Sequence, residues 1–360
     1  MSNKNDKVLI SIVVPTYNER ENIGELLRRI DRALSAENIA YEVIIVDDNS
    51  PDGTADYAEE LSRTYPVRVL RRPGKLGLSS AVLDGVKASK GSVIAVMDAD
   101  LQHPPEVLPL MLRELMGNGC DLVIASRYVK GGSVGNWSFL RKVISKGAIL
   151  VARILLPKVR SVKDPMSGYF MFKREAVESC MEHMNPRGFK ILLEVIVKGN
   201  LSRVCEVPYT FGTRYRGKSK LSTKEVVNYL LHVLNLAPDY VRFAIVGATG
   251  TAVNLGILAL LRYVFGVPHA YASAAAIEAS VINNFVLNDV WTFKSSKKAG
   301  ALRRFIKFHL SSALGLLTQW LVSYVIYYAV LNQSIIAQLI GILAGFIVNY
   351  MLSKKFVWRS

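Results

Sequence analysis

Several features are scarce in this chain. Three cysteines stand in 360 residues, Cys120, Cys180 and Cys205. They are odd in number and far apart, so they read as small buried residues of a reducing compartment and argue against a disulfide framework or a zinc site. The five histidines are scattered, with no two at metal-ligand spacing. A dinucleotide dehydrogenase would carry Gly-x-Gly-x-x-Gly after its first strand; here that position reads Pro15-Thr16-Tyr17-Asn18-Glu19-Arg20. The Gly-x-x-x-x-Gly-Lys-Ser/Thr of a P-loop nucleotidase is read as absent, and no Arg-Trp pair of a processive polysaccharide synthase occurs. Acidic side chains are outnumbered 29 to 45, for a formal charge of +16. The basic residues cluster beside apolar runs, so the excess is assigned to a membrane surface and anionic substrates, with no nucleic-acid partner. The opening segment Met1–Lys7 is polar, and no signal peptide is expected.

What is present divides in two. Residues 8 to about 125 alternate strand and helix patterns: Val8–Val14, Tyr41–Val46, Val67–Leu70, Ser92–Met97 and Leu122–Ala125 as strands, Glu21–Leu34 and Gly53–Tyr65 as helices. This alternation predicts an α/β domain, a mostly parallel sheet with helices on both faces. Ligands of such sheets bind beyond the carboxyl ends of the strands. Polar residues crowd three of those ends: Pro15–Glu19, Asp47–Ser50 and Asp98-Ala99-Asp100. On a strand, Asp98 and Asp100 would point the same way. Two carboxylates aimed at one spot repel unless a cation lies between them, and hard oxygen ligands suit Mg²⁺ or Mn²⁺. The plainer alternative is a cap on the helix that opens at Pro104-Pro105-Glu106.

The second half is mostly apolar. Four spans can be drawn, about 243–265, 270–290, 308–331 and 335–352, each near the ~20 residues that a bilayer core requires. Short turns without Lys or Arg join them into two hairpins. Basic residues fill the link (Lys294, Lys297, Lys298, Arg303, Arg304, Lys307) and the end (Lys354, Lys355, Arg359). The positive-inside rule turns these segments, and the N-terminal domain with them, to the cytoplasm. The hairpins read as copies, Arg242-Phe243 matching Arg304-Phe305 and Asn284-Phe285 matching Asn349-Tyr350. Their aromatic closures fit interfacial belts. Gly341 and Gly345 form a packing face. Glu278 is an intramembrane acid, read as a functional candidate or as a polar contact to Asn254 or Gln319. Domain bounds are expected at 1–235, with an amphipathic interface helix at about 136–157, and 236–360.

The segments Val14–Glu19, Val46–Thr54, Asp98–Pro105, Ser126-Arg127-Tyr128, Asp164–Tyr169, Gly188-Phe189-Lys190 and Phe211–Lys220 occur in order across the soluble half. With them the chain resembles the family-two glycosyltransferases of GT-A fold, and among these the dolichol-phosphate mannose synthases; the membrane half resembles the GtrA-like four-helix domain. The resemblance implies a donor site of Pro15, Tyr17, Glu19, Val46, Asp48, Asp98, Ala99, Asp100, Gln102, Lys190, Arg214 and Lys220. It implies that Asp100 and Gln102, with Asp98, hold the metal, and that Arg127, Arg141 and Ser145 surround a lipid phosphate. Asp100 and Arg127 carry catalysis, and Gly212 and Gly217 frame a mobile lid. The implied reaction is an inverting transfer of mannose from GDP-mannose to dolichyl or another polyprenyl phosphate. Alternatives are a glucosyl transfer from UDP-glucose and, of another class, a membrane scaffold or lipid translocator with a nucleotide-sugar sensor.

Overall fold

The computed structural model describes residues 9–184, 190–212, 223–294, 300–330 and 333–358. The chain divides into two compact units, Met1–Leu236 and Ala237–Ser360.

The first unit is built on seven strands: β1 Leu9–Thr16, β2 Ala40–Asp47, β3 Val67–Arg71, β4 Val93–Val96, β5 Leu122–Ser126, β6 Phe170–Lys173 and β7 Val204–Pro208. Their order is β3-β2-β1-β4-β6-β5-β7. Neighbours run parallel except β6, which is antiparallel to both β4 and β5. The helices are α1 Arg20–Ser35, α2 Thr54–Leu61, α3 Leu78–Ala88, α4 Leu108–Gly117, α5 Phe139–Leu155, α6 Arg174–Glu178, α7 Ile191–Lys198 and α8 Thr223–Leu236. β1 is apolar without alternation and fully buried from Ile10 to Thr16, as a central strand covered on both faces must be. α1 buries Ile23, Leu26, Leu27, Ile30 and Leu34, the 3.6-residue stripe, against it. The chain leaves β1 toward β2 and β3, then returns to the far side of β1 as β4. The order therefore reverses between β1 and β4, which opens a crevice at their carboxyl ends.

The structure corrects the cysteine reading. Cys120 and Cys205 form a disulfide across 85 residues, with Cα atoms 6.1 Å apart, and only Cys180 is free. Cys205 lies opposite Val123 in the β5–β7 ladder, so the bond depends on a long-range strand pairing that spacing does not reveal.

Among the described residues, the second unit has four helices, α9 Asp239–Ala259, α10 His269–Leu287, α11 Ala301–Val325 and α12 Ser334–Leu352. Each runs on into one wider turn, Leu260–Val264, Asn288–Thr292, Ile326–Val330 and Ser353–Trp358. Among the described residues, two stretches, Asp239–Val264 and Ile340–Trp358, are long and apolar enough to cross a membrane. The duplication is real in the packing, but one helical turn out of the register read from Arg-Phe pairs. Phe243 and Phe308, Asn284 and Asn349, Phe285 and Tyr350, and Phe293 and Trp358 are each 65 positions apart. Gly250 lies against Asn284, and Gly315 leaves room for Asn349, whose Cβ a methyl there would meet at 2.8 Å. Phe308, not Phe305, is thus the partner of Phe243.

Two of the closing aromatics are core, not belt. Phe293 and Trp358 are buried, ring centroids 4.4 Å apart, in a core with Phe243, Phe285 and Phe308. Trp358 donates its indole N–H to Asp289 at 2.9 Å, and Arg304 pairs with the same carboxylate at 2.7 Å. A Trp with a buried acceptor packs inward, because its one polar atom is satisfied there. Phe356 of the same closures is exposed, as are Tyr263, Phe265, Tyr271, Trp320, Tyr324 and Tyr328. Glu278 meets His309, its Oε1 3.1 Å from Nε2, and not Asn254 or Gln319.

Candidate active site

The crevice is furnished by the segments that leave each strand. Near the end of β1 Pro15 is buried, and just past the strand Tyr17 is half-exposed, with the Lys75 ammonium 3.6 Å above its ring. Glu19 precedes α1 and accepts from the Asn22 amide at 2.5 Å, while its backbone N–H donates to Thr54 Oγ1 at 3.0 Å. After β2 the two aspartates separate in role. Asp47 ties the turn together, accepting from Thr16 Oγ1 at 3.0 Å and from the Ser50 N–H at 2.8 Å. Asp48 is buried in a direct ion pair with Arg72 and accepts from the Gly77 N–H at 2.9 Å. Arg72 also reaches Asp84 at 3.0 Å and Ser80 Oγ at 2.8 Å. Sequence reasoning misses Arg72 and Lys75, although Arg72-Pro73-Gly74-Lys75 comes after the third strand and the strand-end rule points there.

β4 ends at Val96, earlier than expected, so Asp98 and Asp100 do not share a strand face. They sit on a turn, with Leu101 at φ +63°. A leucine in the left-handed region is held there by its surroundings, as functional turns often require. Asp100 is buried and accepts from the Gln102 N–H at 3.1 Å; the Asp98 side chain is 37% exposed. The Gln102 amide nitrogen donates to Gly212 O at 3.1 Å, and the Gly212 N–H donates to Gln102 O at 3.0 Å. The amide is so oriented that its oxygen is turned from Gly212. Beneath lies His103, buried, stacked on Tyr169 at 5.2 Å, accepting the Asp98 N–H on Nδ1 at 3.0 Å. Burial holds its pKa down to about 4, so the ring stays neutral and serves as a fixed support for the turn.

Segment 164–169 joins this turn to a second group. Lys190 donates to Met166 O at 3.1 Å, and Gly168 approaches both Asp98 and His103. Burial first, then the Arg127 charge, push the Lys190 pKa down to about 8. Asp164 is fully buried and grips Arg127 in a fork, Nε to Oδ2 at 2.7 Å and Nη2 to Oδ1 at 2.8 Å. Burial opposes the Arg127 charge, but Asp164 outweighs it and the pKa is raised. Trp137 is a platform for two cations, Arg141 at 4.1 Å and Arg127 at 5.1 Å. Phe211 lies 5.6 Å from the Arg127 guanidinium and, through Gly212, adjoins the Asp98–Gln102 turn. The Tyr128 hydroxyl donates to Ser145 Oγ at 2.8 Å. Arg127, Arg141 and Ser145 thus gather at the carboxyl end of β5 and the start of α5, next to the carboxylate turn. Asp164 and Trp137 are visible in the sequence as motif and anchor; their holding roles depend on contacts across the chain. Val46 and Ala99 are buried, Val46 within β2 and Ala99 within the β4 turn. Arg214, Lys220, Gly217 and the Gly188-Phe189 pair lie outside the described residues, so the clamp and lid expectations there remain expectations.

One sequence reading falls outright. Gly212–Ser219 does spell Gly-x-x-x-x-Gly-Lys-Ser. It comes after β7, an edge strand, and residues 213–219 of it lie outside the described residues.

Residues 11–181 match the model of glycosyl transferase family 2, and residues 242–358 match that of the GtrA/DPMS transmembrane domain. A dolichol-phosphate mannosyltransferase of Pyrococcus furiosus is 48% identical over 98% of this chain and 99% of its own length. One from Saccharomyces cerevisiae is 40% identical over 63% of this chain and 86% of its own. Among solved structures, mannosyl-3-phosphoglycerate synthase from Rubrobacter xylanophilus aligns at TM-score 0.49 and 18% identity, over 64% of this chain and 72% of that one. A family-two domain ending before a GtrA/DPMS domain, and near-half identity along the whole chain, lead to one assignment: the chain is a glycosyltransferase and belongs to the dolichol-phosphate mannosyltransferase family.

Proposed function

We propose that this enzyme transfers mannose from GDP-mannose to dolichyl or another polyprenyl phosphate, with inversion at the anomeric carbon. The observation that carries this reading is the adjacency of two unlike groups. A hard-oxygen turn, Asp98–Gln102, shares segment 164–169 with the cationic cluster of Arg127 and Arg141.

The donor would span the switch point. Its nucleoside lies along Pro15, Tyr17, Glu19, Val46 and Asp48, and its diphosphate beside Ala99, Lys190, Arg214 and Lys220. Asp98, Asp100 and the Gln102 side-chain carbonyl fit a divalent ion, Mg²⁺ or Mn²⁺, since all offer hard oxygen at one turn. When bound, such an ion neutralises charge that develops on the departing diphosphate. Lys190 supports the same charge from the protein side.

The acceptor needs no dedicated base. A phosphate monoester has its second pKa near ~6 and is largely dianionic at neutral pH. Arg141, on its Trp137 platform, and Ser145 orient that phosphate. Arg127, fixed by Asp164, supplies a rigid cation behind it. Single displacement by a phosphate oxygen on the face opposite the diphosphate inverts the sugar carbon. The apolar residues Phe139, Leu140, Val143 and Ile144 are exposed on α5, which supports its reading as a membrane-interface helix. We read the chain as multi-pass, with the catalytic unit on the cytoplasmic side.

The test is a donor panel on the full chain in detergent with dolichyl phosphate, scoring sugar carried into the lipid phase. GDP-mannose should exceed UDP-glucose by at least about tenfold in kcat/KM. Preference for UDP-glucose overturns the donor assignment; release of no diphosphate with any lipid phosphate overturns the enzyme reading.

A further inference from the structure

α8 carries none of the residues assigned to donor or acceptor, yet it touches α5, which carries Arg141 and Ser145, and α7, which Lys190 directly precedes. On one side the Tyr229 hydroxyl donates to Ala148 O at 2.5 Å. Ala148 lies three residues past Ser145 on α5, the helix of Arg141. On the other side His232 Nδ1 lies 3.8 Å from Glu194 Oε1, and both side chains are only 2% exposed. Glu194 is on α7, four residues after Lys190, and its second oxygen is 2.6 Å from Lys198 Nζ. Tyr229 and His232 are i, i+3 and so are neighbours on the helix surface.

Stability does not account for this arrangement. Burying a carboxylate and an imidazole costs more than packing two apolar side chains of similar volume. What the polar contacts supply is geometric definition: the Tyr229 hydrogen bond has one length and one direction, and the buried His232 ring seats against Glu194 at 3.8 Å, whereas apolar helices can slide. Lys190 directly precedes the first residue of α7, so a shift of α7 moves its ammonium.

We propose that α8 couples the two substrates. Tyr229, His232 and Glu194 are positioning residues, through which an occupied lipid-phosphate site fixes α7 and with it Lys190. This rests on the donor and acceptor assignments of the proposed function. Neither α5 nor α7 shifts alone, because Tyr229 and His232 tie them to one rigid helical turn.

The test is a thermodynamic cycle on the full chain in detergent with Mn²⁺. GDP affinity is measured by calorimetry without and with saturating dolichyl phosphate, a pair that cannot react. The wild type should show GDP binding improved about fivefold or more by the lipid. Tyr229→Phe, His232→Phe and Glu194→Gln should each bring that factor within about twofold of unity, while each ligand alone binds as in the wild type. Tyr229→Phe removes one hydroxyl and leaves the buried pair intact, so it reads the coupling even where the other two lower the melting temperature. A wild-type factor of one, or variants that keep the full factor, overturns the proposal. A wild type that binds neither GDP nor dolichyl phosphate overturns the functional reading, and the coupling with it.

Discussion

At the scale of single residues, the site separates groups by what holds them. Asp100 is buried on the β4 turn and its contact to the Gln102 N–H is local, so its removal should leave the fold standing. Asp100→Ala should lower transfer by about 10²- to 10³-fold, the scale of losing one preorganised charge-stabilising group. It should also abolish the Mn²⁺ dependence of GDP binding; calorimetry that still finds that dependence would remove Asp100 from the metal. Arg141 lies on an exposed helix over Trp137. Arg141→Ala should raise the KM for dolichyl phosphate about tenfold and leave GDP affinity unchanged; a large loss of GDP affinity would move Arg141 to the donor side. Lys190 gives the pH dependence. Its free-enzyme pKa is down at about 8, against about 10.5 when solvated. A bound diphosphate favours the charged form, so the complex keeps the proton to higher pH. Above pH 8 the free enzyme has lost that proton, binding must take one up, and affinity falls with rising pH, by up to about tenfold per unit. Below pH 8 both states are charged and the slope vanishes. Lys190→Arg, always cationic, should bind GDP with no such slope between pH 7.5 and 9.5.

At the scale of elements, legibility depends on range. β1, β2 and β3 are readable because each is a short apolar run bounded by turn residues, and the β1–β4 crevice comes from their alternation with helices. β6 and β7 are not readable in that way. β6 is antiparallel and four residues long, and it belongs to the sheet only through β4 and β5. The Asp98/Asp100 pair is legible as chemistry but not as geometry. The strand stops one residue sooner, at Val96, and the turn at Leu101 is set by contacts from Gly212 and His103 rather than by local propensity. The disulfide belongs to the same class of miss. It crosslinks an 85-residue loop and ties edge strand β7, which Phe211-Gly212 continues into the site. A loop of that size restrains the unfolded chain by about 4 kcal/mol. Cys205→Ser should therefore lower the melting temperature of the catalytic unit by several degrees, with little change in GDP affinity at 25 °C, since the ladder of β5 with β7 remains. An unchanged melting temperature in reductant and oxidant alike would show that the bond does not form in solution.

At the scale of the whole molecule, each unit has its own core, and they are built differently. The first buries aliphatic strands and the α1 stripe. The second buries an aromatic cluster around one charged pair, Arg304–Asp289, with Trp358 donating to the same carboxylate. Asp289 ends the first hairpin, Arg304 opens the second, and Trp358 closes the chain's described part, so three distant points of the duplicated hairpins meet at one oxygen. Their 65-residue repeat carries this pair over with its charges exchanged: Asp289 and Arg304 correspond to Lys354 and Asp239, which lie 3.7 Å apart. Arg304–Asp289 is the more buried of the two related pairs, and it fixes how the two copies close on each other. Breaking a buried pair from one side leaves an uncompensated charge and costs about 3–5 kcal/mol. Arg304→Met should destabilise the second unit by that order, seen as a lower unfolding midpoint by tryptophan fluorescence through Trp358. Asp289→Asn with Arg304→Met, which removes both charges, should recover most of the loss. GDP binding, confined to the first unit, should be unchanged in both variants. A matching loss of GDP affinity in Arg304→Met would mean that the two cores do not stand independently.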